Sequence, residues 1–171
     1  MRTQREKSMK HIAVIDIGKT NKKILVFDES LQLVDSVYKG FEEYVEDGIH
    51  FEDVENMTAW IKQQLSLLSR HFEIKAISVA THGATAICVD GNGKLSVPPV
   101  AYTTDAGEEF GKEFFQTFGA RDDLQVSTAT AEIGSLINIG KKIYFLQKKY
   151  PEQFKKTAHI LNYPQYIGFL L

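Results

Sequence analysis

Cysteine and proline are scarce in this sequence, and its charges nearly cancel. The single cysteine, Cys88, excludes an internal disulfide and a zinc site made of several cysteines. With 20 lysine and arginine residues against 22 acidic ones, the net charge of -2 offers no overall attraction for nucleic acid or for an anionic membrane. We therefore expect neither as a partner, and we interpret Cys88 as a buried thiol in a reducing cytoplasm.

Long hydrophobic runs are missing as well. No apolar stretch approaches the ~20 residues that span a bilayer, and the charged residues 1–10 lack the apolar core of a signal peptide. We interpret residues 1–10 as the solvated leader of a cytoplasmic protein and residues 11–171 as its folded domain. Because the sequence stops inside an apolar segment, residues 166–171, we expect this domain to be truncated at its C-terminal end.

The first half of the sequence predicts three strands, a helix and a fourth strand. Residues 11–17 and 23–27 are apolar runs, and residues 31–39 begin with alternating leucines. Their connections are too short for parallel crossovers, so these strands are predicted to be antiparallel. Residues 52–70 carry apolar side chains at helical spacing, and the apolar residues 74–80 follow. A helix has then crossed over, which predicts that the fourth strand is parallel and central in the sheet.

The remaining segments predict an α/β domain with a mixed sheet. Gly91-Asn92-Gly93 indicates a hairpin turn between residues 84–90 and 94–97, and residues 107–118 and 136–150 read as helices. A short strand and a helix opened by Pro164 complete the chain. Lysine pairs recur every seven residues, and we interpret them as a solvated face rather than a nucleic-acid stripe. These pairs are Lys141-Lys142, Lys148-Lys149 and Lys155-Lys156.

The turn between the first two strands carries the sharpest chemical signal. Gly18-Lys19-Thr20 resembles the end of a Walker loop, but Ala13 stands where that loop needs glycine, and a strand follows instead of a helix. Gly18 frees the backbone to turn, and the amides of residues 19–21 can converge on phosphate oxygens. The residues alone leave two interpretations open, a phosphate cradle or an ordinary tight hairpin.

Side chains of the same turn add to the phosphate interpretation. Thr20 and Asn21 offer further donors, and Lys23 offers positive charge to a transferring phosphoryl group. Asp16 is only an acceptor, so it would contact phosphate indirectly, through Mg²⁺ or ordered water. Asp16 is thus the single metal-associated residue that we predict, and its contact with the metal is expected to pass through water.

Two further polar residues have both a functional and a structural interpretation. His82 follows a predicted strand end, where ligands of α/β sheets gather, and a neutral imidazole there can hydrogen-bond a sugar hydroxyl. It is equally compatible with an ordinary satisfied histidine. Asp105 can accept bonds from two sugar hydroxyls or cap the helix that begins near Gly107.

Four segments together resemble the FGGY carbohydrate kinases of the actin-like ATPase superfamily. Residues 16–23 resemble the first phosphate motif of that family. Residues 77–83 and 89–93 resemble its central strand, sugar-pocket loop and hairpin, residues 100–105 its next sugar-contact segment, and residues 161–170 the segment that closes the subdomain. The resemblance covers residues 11–171. The Lys19-Thr20-Asn21 variant resembles the branch near rhamnulose and fuculose kinases, which implies a ketose or deoxy-ketose substrate.

The resemblance implies a ribonuclease-H-like fold and ATP-dependent transfer of a phosphoryl group to a sugar, with Mg²⁺. It implies that Asp16, Gly18, Lys19, Thr20, Asn21 and Lys23 serve phosphate and magnesium. It implies that Thr81, His82, Gly83 and Asp105 contact the sugar. No residue of this chain is assigned as the catalytic base, because the family's base and its ATP-binding C-terminal domain lie beyond Leu171.

Two other functions remain open from the sequence. The chain can be a sugar-binding module that is catalytically incomplete by itself, or part of a different actin-like ATPase such as an acyl-phosphate kinase. The sugar-loop similarities weigh against the second of these. A homodimer is possible under each interpretation.

Overall fold

A computed structural model describes residues 9–171, which form two compact units. Residues 1–8 of the predicted leader lie outside the described residues, and Lys10 already belongs to the first strand. Unit 1 comprises residues 9–41, 54–82 and 167–171, and unit 2 comprises residues 42–53 and 83–166. In chain order the elements are β1 (Lys10–Ile17), β2 (Asn21–Phe27), β3 (Leu33–Gly40), β4 (Tyr44–Glu46), β5 (Ile49–Phe51), α1 (Val54–Leu68), β6 (Glu73–Thr81), β7 (Ala86–Val89), α2 (Glu108–Phe118), α3 (Arg121–Thr128), α4 (Ile139–Lys149), α5 (Pro151–Phe154), β8 (His159–Asn162) and α6 (Tyr163–Leu170).

The sheet of unit 1 has the strand order β3-β2-β1-β6. β1, β2 and β3 pair antiparallel, and β6 pairs parallel with β1, so the predicted mixed α/β sheet is confirmed. Alternate residues of β1 are buried, and the pair Ile15–Ile24 continues the buried face into β2. This period of two is what the apolar runs of the sequence indicated.

Helix α1 supplies the crossover between β3 and β6 and contacts β2. Its buried residues recur at intervals of three and four, as the predicted apolar stripe requires. Trp60 also meets Phe41 edge-on, with ring centroids 5.8 Å apart. The buried residues of α1 are Val54, Met57, Trp60, Ile61, Leu65 and Leu68.

The predicted central position of β6 is wrong for the described residues. The strand lies at the edge of the sheet, and β1 is its single partner in the part of the chain that the structure describes. Several of its apolar residues are exposed, among them Ile77 at 43%. The parallel pairing itself, which needs only the crossover helix, is confirmed.

Unit 2 combines two short sheets with the helices α2 to α5. β4 pairs with β5, while β7 pairs antiparallel with β8, a strand that lies about 70 residues further along the chain. The predicted turn after β7 forms, since the Asp90 amide donates to the Lys94 carbonyl at 2.8 Å. Its second arm is reduced to one bridge, between Val89 and Leu95. The core consists of Ile49, Phe51, Cys88, Val97, Val100, Leu136 and Leu146.

Several elements of unit 2 were not predicted, and others were. Strands β4 and β5 and helices α3 and α5 are additional to the predicted elements. Elements α2, α4 and β8 lie where the sequence indicated, as does α6, whose residues divide between the two units. Within residues 9–171, no helix combines the length and the apolar character that crossing a membrane demands.

Candidate functional site

Most of the predicted site residues lie at one end of the sheet of unit 1. Asp16 pairs with Ala80 and Ile17 with Thr81, so β1 and β6 finish side by side. The His82 amide then donates to the Ile17 carbonyl at 3.4 Å. The turn after β1 and the segment after β6 therefore share the carboxyl end of two parallel strands, the edge at which α/β sheets bind ligands.

The turn between β1 and β2 is closed tightly by backbone contacts. The Gly18 amide donates to the Asn21 carbonyl at 3.1 Å. A Cβ placed at Gly18 would lie 3.1 Å from that same backbone oxygen, which cannot move aside by changing a rotamer. A side chain at this position is therefore unfavourable, and the tight hairpin foreseen from the sequence is present.

A buried lysine that sequence reasoning missed organises this turn. Lys22 is only 2% exposed, and its Nζ donates to the carbonyls of Gly18 at 2.9 Å and Lys19 at 2.8 Å. In a trans peptide the N–H points opposite the carbonyl, so the amides of Lys19 and Thr20 are directed away from Lys22. The turn thereby aims two successive amides away from the protein interior, which is the arrangement of an anion-binding nest. The alternation of β2 gave the signal, because it places Lys22 on the buried face with Ile24.

Asp16 and Lys23 form an ion pair beside the turn. They are cross-strand partners in β1 and β2, with Lys23 Nζ 3.3 Å from Asp16 Oδ2. Each side chain is 37% exposed, so water reaches the carboxylate. Among residues 9–171 there is no group of three or more histidine, cysteine, aspartate or glutamate side chains that could hold a metal directly. A single accessible carboxylate fits Mg²⁺ held through water, because Mg²⁺ keeps several of its waters in protein sites.

At the same sheet end, the Thr81 side chain bonds to the backbone and the His82 ring is shielded. The Thr81 hydroxyl donates to the His82 carbonyl at 2.9 Å. Both ring nitrogens of His82 are shielded from solvent. A sugar hydroxyl can thus reach the imidazole only when the ring or its surroundings shift.

Gly83 and Asp105, the other two predicted sugar-contact residues, belong to unit 2, and both are exposed. Asp105 Oδ1 accepts a bond from the Gly107 amide at 2.9 Å. Gly107 is the residue that precedes α2, and no side chain caps that helix. Asp105 therefore forms a local turn before the helix and does not cap it, which answers the structural alternative left open by the sequence.

Buried polar contacts fix the segment that leads to Asp105. Thr104 is fully buried, and its hydroxyl accepts from the His50 amide at 3.0 Å. The Thr103 hydroxyl donates to Glu43 Oε2 at 2.7 Å, and His50 Nδ1 lies 3.1 Å from the same oxygen. Sequence reasoning did not identify Glu43 or His50, because the threonines that they contact, Thr103 and Thr104, lie more than 50 residues away.

The segment after Gly83 is also anchored within unit 2. Lys142 is fully buried, and its Nζ donates to the Ala84 carbonyl at 2.6 Å. The prediction that the first lysine pair lies on a solvated face is therefore wrong, since Lys141 is also buried and pairs with Glu132 at 3.0 Å. Lys148, at 52% exposure, agrees with the predicted solvated face.

Comparison with known families gives one match over nearly the whole chain. Residues 11–171 match the model of the N-terminal domain of the FGGY family of carbohydrate kinases. No curated protein matches the sequence.

Solved structures with the same fold include several sugar kinases. A carbohydrate kinase from Novosphingobium aromaticivorans superimposes with a TM-score of 0.83 at 23% identity, covering 96% of this chain and 34% of that one. A gluconate kinase from Lactobacillus acidophilus gives 0.81 at 20% identity, with coverage of 95% and 33%. A ligand-bound xylulose kinase from the same organism gives 0.77 at 20% identity, with the same coverage. These likenesses show the actin-like ATPase fold, and this chain spans about a third of the length of those kinases.

Proposed function

Because the chain belongs to the FGGY family of carbohydrate kinases, whose N-terminal domain it matches, we propose that it is part of an ATP-dependent sugar kinase. The kinase transfers the γ-phosphoryl group of ATP to a sugar hydroxyl. One observation carries the proposal. The turn of residues 16–23 and the segment Thr81–His82 meet at the carboxyl end of two parallel strands, so phosphate and acceptor contacts adjoin.

The proposed phosphate contacts come from both backbone and side chains of the turn. The amides of Lys19 and Thr20 face away from Lys22 and can donate to phosphate oxygens, with the Thr20 hydroxyl and the Asn21 amide group as additional donors. Lys23, which pairs with Asp16, can bind a phosphate oxygen instead. Mg²⁺, when bound, neutralises charge that develops on the phosphate oxygens. Asp16 would orient one of its waters.

The proposed sugar contacts are Thr81, His82, Gly83 and Asp105. We propose a ketose or deoxy-ketose as the acceptor, in keeping with the resemblance of Lys19-Thr20-Asn21 to the rhamnulose and fuculose kinase branch. Among the kinases of similar fold, one acts on xylulose, a ketose, and another on gluconate, a sugar acid. A panel containing both classes therefore tests this specificity directly.

The proposal assigns the catalytic base and the nucleotide site to a C-terminal domain outside this chain. Transfer requires a base at the attacking hydroxyl, bound ATP and exclusion of water. We assign neither the base, nor ATP binding, nor the exclusion of water to any residue between 11 and 171. We also propose a cytoplasmic location and allow for a homodimer.

Replacing Asp16 tests the function. In a protein that joins this chain to an FGGY C-terminal domain, Asp16→Asn keeps the shape and removes the charge. We expect kcat to fall by about 100-fold, with the sugar KM changed less than about threefold, because metal positioning acts on the transition state.

Asp28→Asn is the matched control, since Asp28 follows a neighbouring strand of the same sheet but only accepts turn amides. It should leave both constants unchanged. If Asp16→Asn retained full turnover, Asp16 would have no part in the mechanism.

A sugar-binding module without catalysis is the second candidate, because no residue of this chain is assigned as a catalytic base. Titration calorimetry of the 171-residue chain with sugars, in the absence of ATP, separates the two. Binding without ATP consumption by any longer form of the protein supports the module. The match to the sugar-kinase family disfavours an acyl-phosphate kinase.

A further inference from the structure

Unit 2 contains a cavity that is separate from the proposed kinase site. Its volume is about 590 Å³, and it lies among α2, α3 and the beginning of α4. None of the ten predicted site residues lines it. A cavity of this size can hold a small organic molecule, and such sites are generally apolar with a few directed polar groups.

The walls of the cavity are mainly apolar and aromatic. Helix α2 contributes Phe114, Phe115 and Phe118, and α3 contributes Leu124. Although α2 has a strongly apolar side, none of its residues is fully buried. Its aromatic surface is therefore still available to a ligand, which would gain free energy by removing that surface from water.

Most polar groups in the walls already have partners within unit 2. Asn138 Nδ2 donates to the Ala131 carbonyl at 3.0 Å, and the Thr128 hydroxyl donates to the Leu124 carbonyl at 2.6 Å. Gln125 Oε1 accepts from the Glu132 amide at 3.3 Å. These groups shape the cavity and are poorly placed to select a ligand, because binding one would cost them an existing bond.

Arg121 also has a partner, but its guanidinium has more donors than that one contact uses. Its Nη2 lies 3.1 Å from Glu132 Oε2, while Lys141 Nζ contacts Oε1 of the same carboxylate at 3.0 Å. Two cations share one carboxylate, so the cavity lining carries one excess positive charge. The Arg121 side chain is 60% exposed and a guanidinium has five N–H donors, so it can also bind an incoming anion.

We propose that this cavity binds a small amphipathic monoanion, with an aromatic or aliphatic body against the phenylalanines and a carboxylate or sulfonate on Arg121. Charge complementarity selects the anion, and cavity size limits the body to a small organic molecule. The site does not depend on the proposed kinase function, because it uses none of the same residues.

The first test uses the fluorescent probe 8-anilinonaphthalene-1-sulfonate with the 171-residue chain. We expect saturable binding of one dye molecule. Arg121→Gln should weaken it about tenfold, the loss typical of one charge-assisted hydrogen bond. Arg70→Gln, at an exposed arginine of unit 1, is the matched control and should bind like wild type. The neutral analogue N-phenyl-1-naphthylamine should be indifferent to Arg121→Gln.

The second test fills the cavity. Gly140 lines it in the first turn of α4, and a Cβ there would meet no heavy atom within 4 Å. The Cβ of Gly140→Leu therefore meets no clash, and leucine has a higher helix propensity than glycine. We expect a melting temperature at least equal to that of wild type and loss of dye binding by more than about tenfold.

The two tests together distinguish binding in this cavity from binding elsewhere. Loss of binding in Gly140→Leu together with weakening in Arg121→Gln supports the site. Undiminished binding in Gly140→Leu places the dye elsewhere and overturns the proposal. Equal effects of Arg121→Gln and Arg70→Gln, or no saturable binding by wild type, overturn it too. None of these results depends on kinase activity, so failure here leaves the proposed function standing.

Discussion

Two lysines of this chain bury their ammonium groups against backbone carbonyls. Lys22 is 2% exposed and Lys142 is fully buried. Burying a charge is unfavourable unless hydrogen bonds replace the lost water, and both lysines donate to carbonyls of segments that carry predicted site residues. Their structural role is thus to hold backbone in place, which the composition alone does not indicate.

Lys22→Met tests this role in the phosphate turn. Methionine keeps an unbranched apolar side chain but leaves the Gly18 and Lys19 carbonyls without their donor. We expect the free energy of unfolding to fall by about 1–3 kcal/mol, measured by urea denaturation.

The adjacent lysine provides the matched control, because Lys23 points to the other face of β2 and forms a partly exposed ion pair. Lys23→Met should cost less than about 1 kcal/mol. Equal, small losses of unfolding free energy in the two variants would show that the buried bonds of Lys22 do not stabilise the turn.

Cys88 provides a test that depends on pH. Burial raises the pKa of the thiol from 9.0 to about 11, and the hydrogen bond with Thr157 offsets this only partly. Because the folded pKa is the higher one, the stabilisation is complete below pH 9 and is lost as pH rises towards 11. For each proton released on unfolding, the free energy of unfolding falls by ~1.4 kcal/mol per pH unit.

Urea denaturation of wild type and Cys88→Ala between pH 7 and pH 11 measures this effect. Burial also raises the pKa of Tyr163, so both proteins should lose stability at high pH. We expect the steeper decline in wild type. Parallel curves from pH 9 to pH 11 would rule out a contribution from Cys88.

At the scale of elements, the β1–β2 turn depends on close backbone approach. A Cβ at Gly18 would lie 3.1 Å from the Asn21 carbonyl oxygen, whereas one at Gly91, in another turn, would meet nothing within 4 Å. Gly18→Ala should therefore destabilise the chain by about 1–3 kcal/mol. Gly91→Ala should change stability by less than about 0.5 kcal/mol. Thermal denaturation followed by circular dichroism compares them, and equal melting temperatures would contradict the argument.

At the scale of the whole molecule, β6 is an edge strand of its sheet among residues 9–171, which has a consequence for solution behaviour. An exposed apolar edge strand offers unpaired backbone groups to a second copy of the chain. Ile77→Lys, at a residue 43% exposed, should reduce self-association in sedimentation velocity at high protein concentration. Val126→Lys, on helix α3 at 83% exposure, is the control and should not reduce it. Identical sedimentation of both variants and wild type would exclude β6 as the contact.

Catalysis also depends on the whole protein, because the chain alone is not expected to transfer phosphate. The 171-residue chain carries the proposed phosphate turn and sugar contacts, but no assigned base or nucleotide site. We expect no sugar-dependent ATP consumption by this chain with ketoses, aldoses or glycerol. Turnover well above background would place the base within these residues, and Asp105 would be the first carboxylate to replace.

The sequence by itself determined the features that depend on near neighbours. The apolar runs around Val14 and Leu25 predicted β1 and β2, because alternate residues of a strand share a face. The stripe through Trp60 predicted α1, and the short connections required antiparallel pairing. Gly18 and the polar residues beside it marked the turn. The resemblance in that turn and three later segments indicated the kinase family, which the family match confirms.

Only the tertiary structure decided which residues that are distant in the sequence contact one another. β7 pairs with β8 over four residues, whereas its own hairpin arm is reduced to the single bridge between Val89 and Leu95. Lys142 has the sequence pattern of a solvated residue, yet its ammonium group is buried on the Ala84 carbonyl, 58 residues away in the chain. Packing decides such placements, since a buried charge is tolerated wherever the fold supplies acceptors for it. That supply depends on long-range contacts, and local sequence patterns do not encode them.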